Sequence, residues 1–102
     1  MRDPQILESV KATLALLVAA NPGRAIEVRI PPYAAVQCGD GPAHTRGTPP
    51  NVIEMDADTW LALASGATQW AAALQTGKIN ASGARADLSE FLPLLDPNRI
   101  TQ

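Results

Sequence analysis

The run "AIEVRI" at 25–30 constrains this chain more than any other stretch. It alternates strictly, with Ile26, Val28 and Ile30 facing one way and Glu27 and Arg29 the other. Such alternation specifies a strand with one buried face and one wet face. A strand of this kind needs a cover for its apolar side, and the preceding segment supplies one. In "PQILESVKATLALLVAA" (4–20), Ile6, Leu7, Val10, Leu14, Leu17 and Val18 recur at helical spacing. Asp3 is placed to cap that helix. Pro4 suits its first position, where a missing N–H costs nothing. "NPG" at 21–23 stops it.

Pro31-Pro32 ends the alternating strand, because neither residue donates to a ladder; an edge, a bulge or a corner is expected there. "YAAVQC" (33–38) resumes extended structure, and "NVIEM" (51–55) reads as a third short strand. Asp56 can cap a helix over 57–65, closed by Gly66. A second short helix follows over 68–76 and ends at Gly77. Trp60, Leu63 and Ala64 share a face of the first, and Trp70, Ala73 and Leu74 a face of the second. "KINAS" (78–82) reads as a strand. "DLSEFLPLL" reads as a short helix, with Asp87 and Glu90 at capping-box spacing and Pro93 limiting its length. The expected architecture is α/β (α+β): a mixed sheet with helices packed on one face. One domain is expected over residues 1–102, with a frayed tail from Asp96.

Composition narrows the function. Hydrophobic residues make up 46% of the 102 and charged residues 18%, enough to build a core. The net charge of −2 and eight scattered basic residues argue against nucleic acid, which requires a basic face. No uninterrupted apolar run of about 18 residues is present, so no membrane span is expected. The N-terminus lacks a secretory apolar core, and a cytoplasmic location is expected. One cysteine and one histidine fall short of the three or four ligands a zinc site takes, so neither metal nor cofactor is expected.

Both of these lone residues lie in "QCGDGPAHTRGTPPNVIE" (37–54). As a nucleophile and base, Cys38 and His44 would need a third group to orient the base. Cys38 instead continues the alternation of its strand and reads as a small buried residue. His44 and Arg46 have two readings: bracing the loop, or meeting the polar end of a ligand through the guanidinium. Bracing comes first. Trp60 and Trp70 are either core residues or the lining of an apolar cavity, and both readings need the same faces inward.

From Val52 onward the chain resembles the sterol carrier protein type two family, in particular a short bacterial branch. The resemblance rests on "VIEMDADTWLALASGATQWAAALQTGKINASG", with its strand to Asp56, its Trp60 helix to Gly66, its Trp70 helix, and Gly77-Lys78-Ile79 leading to Gly83; "VRIPPYAAVQCGDGPAHTRGTPPNV" (28–52) also resembles that bacterial branch. It implies a mixed, roughly five-stranded sheet and an apolar pocket for a lipid-like or fatty-acyl ligand. By position, Trp60, Leu63, Trp70, Leu74, Phe91 and Leu92 are then the nearest pocket or core residues, with His44 and Arg46 at a polar mouth. The implied function is non-catalytic binding or carrying of a hydrophobic small molecule or acyl chain. The alternative is an accessory or protein-interaction domain without an open cavity, working as a homodimer or beside a partner enzyme. A thiol-related enzyme is the remaining possibility.

Overall fold

A computed structural model describes residues 3–41 and 50–94. Helix α1 spans Pro4–Ala20, and the Asp3 carboxylate accepts hydrogen bonds from the Gln5 and Ile6 amides at 2.8 and 3.4 Å. The cap and Pro4 lie where the sequence places them. Strands β1 (Ile26–Ile30) and β2 (Ala34–Cys38) form an antiparallel hairpin around Pro31, Pro32 and Tyr33. Pro31-Pro32 is therefore a corner. Its turn closes with the Tyr33 amide donating to the Ile30 carbonyl at 2.8 Å.

Strand β3 (Asn51–Glu54) runs parallel to β1 on its other side, so β2 and β3 flank β1. Helices α2 (Ala57–Ser65) and α3 (Trp70–Gln75) follow, and β4 (Asn80–Ser82) adds antiparallel to β3. The sheet is mixed, in the order β2-β1-β3-β4. It has four strands among the described residues, where roughly five were expected.

Register explains which face is covered. Val28 stands beside Val36 and Ile53, and Ile26 beside Cys38, on the buried side. On the other side Glu27 faces Gln37 and Val52, and Arg29 faces Glu54. That wet face is held by an Arg29–Glu27 ion pair at 2.6 Å. Helix α1 covers the apolar face across β2 and packs against α2. Val10, Leu14 and Leu17 point inward from it, against Val28, Ile30 and Ile53 in one cluster.

Two helical elements are shorter than the sequence suggests. Helix α3 starts at Trp70, with Gln69 at its N-cap providing no side-chain bond. Thr68 is held instead by its amide donating to the Ala62 carbonyl, which ties it to the end of α2. The segment 87–94 forms only a 3-10 turn, Ser89–Phe91. Pro93 restricts the residue before it to extended backbone, and Leu92 has φ −113° and ψ 144°. Asp87 accepts from the Ser89 amide at 2.8 Å, making a local turn rather than a reciprocal capping box.

Candidate functional site

Asp56 caps α2 by accepting from the Thr59 amide at 2.8 Å. Its pKa is lowered chiefly by hydrogen bonding to Thr59, with a small contribution from Lys78. The cap sets the rotation of α2 and sends Trp60, Leu63 and Ala64 into the interior. Trp60 is fully buried, and its indole N–H donates to the Thr13 hydroxyl at 2.8 Å. The Thr13 hydroxyl is within reach of the Ser9 carbonyl at 2.7 Å and the Val10 carbonyl at 3.0 Å. No buried side-chain polar atom is left without a partner among the described residues. Trp60 thus fills the space between α1 and α2 with its one polar atom satisfied.

Leu63, Trp70 and Leu92 meet at a cleft of about 170 Å³ between the end of α2, the start of α3 and the 3-10 turn. Its outer wall is tethered. The Leu94 amide donates to the Ala64 carbonyl at 2.9 Å, and Pro93 lies against Gly66. Gly66 closes α2 in the left-handed region at φ 88°, where a side chain would be strained. Ser89 lines this cleft and also a larger one of about 430 Å³ on the other side of the turn, into which Phe91 contributes.

Of the six apolar residues singled out from sequence, the structure brings Leu63, Trp70 and Leu92 together. Trp60 lies deeper, Phe91 lines the neighbouring cleft, and Leu74 lies apart. Leu74 is 46% exposed. In a helix of six residues the inward stripe is used up by Trp70 and Ala73, and Leu74 stands about 100° beyond Ala73. His44 and Arg46 lie outside the described residues.

Cys38 is fully buried, and burial raises its thiol pKa from an ordinary 9.0 to about 11. The native protein should therefore react with an aromatic disulfide reagent at pH 8 far more slowly than the urea-unfolded chain. Equal rates would show that the thiol is accessible. The raised pKa also gives a stability term that is fully present below pH 9.0. It is lost as pH rises toward 11, because the unfolded thiol ionises first.

Asn51 was not apparent from the sequence as a site residue. Its side chain, 4% exposed, donates from Nδ2 to the Ala25 carbonyl at 2.9 Å and accepts at Oδ1 from the Arg85 amide at 2.8 Å. It joins the start of β1, the start of β3 and the segment leaving β4. The available signal was an asparagine at the inward position two before Ile53, where alternation calls for an apolar residue.

Set against known families, the chain matches the family model described as "Bacterial SCP ortholog" over residues 2–94. It belongs to this sterol carrier protein-like bacterial family. The match also takes in α1, which lies outside the segments that carry the resemblance. No curated protein matches the chain significantly. Among the described residues, no helix is long and apolar enough to cross a membrane.

Proposed function

We propose that this protein binds and carries a lipid-like or fatty-acyl ligand without catalysing its conversion. The observation that carries the reading is the convergence of Leu63, Trp70 and Leu92 on one cleft in a chain of a sterol carrier-like family. The cleft, about 170 Å³, lies below the roughly 300–1,000 Å³ typical of sites for drug-sized ligands. It suits one segment of an acyl chain better than a rigid four-ring sterol. Trp70 is well placed to report occupancy, since its ring borders the cleft.

Native mass spectrometry after gentle purification, followed by organic extraction, should reveal a co-purifying hydrophobic molecule. A fluorescent fatty acid should bind, and Leu92→Glu should weaken it by roughly tenfold, since a charge would replace apolar contact. A protein that is ligand-free and takes up no fluorescent fatty acid would overturn the carrier reading.

The complete burial of Trp60 favours a second reading, an accessory domain whose interior is closed by its own side chains. A homodimer that persists on dilution, or a stable complex with an enzyme, combined with no lipid uptake would select it.

A further inference from the structure

The larger cleft, about 430 Å³, lies between the turn at Gly39 and the 3-10 turn Ser89–Phe91. Its lining combines two kinds of surface. Ile26 and Phe91 supply apolar contact, while Asp40, Arg85, Asp87 and Glu90 supply charge. Among the described residues, Arg85, Asp40 and Glu90 form no salt bridge. Asp87 is already engaged by the Ser89 amide. Among the described residues the cleft therefore offers one cation, and two carboxylates in no salt bridge, around an apolar lining.

The main chain at Arg85 is anchored. Its amide donates to the Asn51 side chain, which is itself anchored to Ala25. Its guanidinium lies over Gly41, where a Cβ would overlap Nη1. Gly41 has φ 144°, so a larger residue there would meet both backbone strain and the arginine. Bare backbone at 41 gives the guanidinium its seat beside the cleft.

We propose that this cleft binds the zwitterionic head group of an amphiphile. Arg85 takes the anionic group, Asp40 and Glu90 take the cationic group, and the first part of the apolar chain lies on Ile26 and Phe91. A purely anionic head would meet the arginine but be repelled by the surrounding carboxylates. A purely cationic head would meet the carboxylates but leave the Arg85 guanidinium without a counter-charge. A group carrying both signs pairs with both kinds of charge in the described lining. The volume falls within the usual range for a small-molecule site. This inference rests on the carrier reading and adds to it a preference among ligands.

The test uses monomeric dihexanoyl phosphatidylethanolamine, dihexanoyl phosphatidylglycerol and free phosphoethanolamine, titrated calorimetrically into the full chain. The ethanolamine lipid should bind roughly tenfold more tightly than the glycerol lipid, and free phosphoethanolamine should bind more weakly than either. Amide shifts on addition of the ethanolamine lipid should centre on Gly41, Arg85 and Phe91. Arg85→Gln, which keeps the amide bonded to Asn51, should remove most of that preference, and so should the double variant D40N/E90Q. Equal binding of the two lipids, unaffected by R85Q, would overturn the head-group inference and leave the carrier reading standing. Phosphoethanolamine binding as tightly as the lipid would overturn the amphiphile assignment. Binding of neither lipid, together with no uptake of a fluorescent fatty acid, would remove both readings.

Discussion

Replacing Trp60 with alanine is expected to lower the unfolding free energy by about 3–5 kcal/mol, as for other large aromatic truncations in a core. The side chain is fully buried between α1 and α2, with Val10, Leu14, Leu17 and Leu63 in the same apolar cluster. Helix α1 packs against both β2 and α2, so truncation leaves a space between packed elements. The variant also removes the donor that meets the Thr13 hydroxyl. Trp60→Phe separates the two effects, since it keeps most of the ring and loses only the N–H. A double-mutant cycle with Thr13→Val should show a coupling of about 1 kcal/mol for that bond. Urea unfolding followed by circular dichroism measures each variant. A loss for W60A below about 1 kcal/mol would mean that the interior around Trp60 is loosely packed.

The Asn51→Ala variant is expected to cost about 2–4 kcal/mol, since it strands two main-chain groups at once. The Ala25 carbonyl loses its donor and the Arg85 amide loses its acceptor. Asn51→Asp distinguishes them. It preserves the acceptor toward Arg85 but sets a carboxylate oxygen against the Ala25 carbonyl. The aspartate should therefore also destabilise, and its loss should shrink at low pH, where the carboxyl is protonated and can donate again. Amide exchange should accelerate at Arg85 in the alanine variant and remain slow there in the aspartate one. Matching exchange in both would show that Asn51 does not hold the segment leaving β4.

The two substitutions touch different parts of the legible fold. Trp60 and its helix could be read from local pattern: Asp56 as cap, Gly66 as stop, and an inward face between them. The same holds for α1 and β1, whose limits follow from Asp3, Pro4, "NPG" and the strict alternation of 26–30. Local rules also identified Cys38 as a buried continuation of β2. They were less able to locate the limits of α3 and of the 3-10 turn. There, tethers from distant carbonyls and the constraint Pro93 places on Leu92 outweigh helical spacing. Leu74 shows the same limit in one residue, because spacing alone cannot say how many positions of a very short helix are covered.

Asn51 and Arg85 are 34 residues apart and come together only because β4 pairs with β3. Gly39 and Asp40, directly after β2, likewise line one cleft with the distant 3-10 turn. The "QCGDGPAHTRGTPPNVIE" loop therefore contributes to a cleft through Gly39 and Asp40 rather than through its cysteine.

By itself the sequence determined what is local: the caps, the breakers, the alternation that makes one face of the sheet apolar, and the family. Those depend on backbone propensities and on contacts within a few residues. Tertiary structure alone decided that Leu63, Trp70 and Leu92 share a cleft while Trp60 fills the interior. It also set Arg85 over Gly41. Each of these arrangements depends on packing between segments far apart in the chain, where no spacing rule operates.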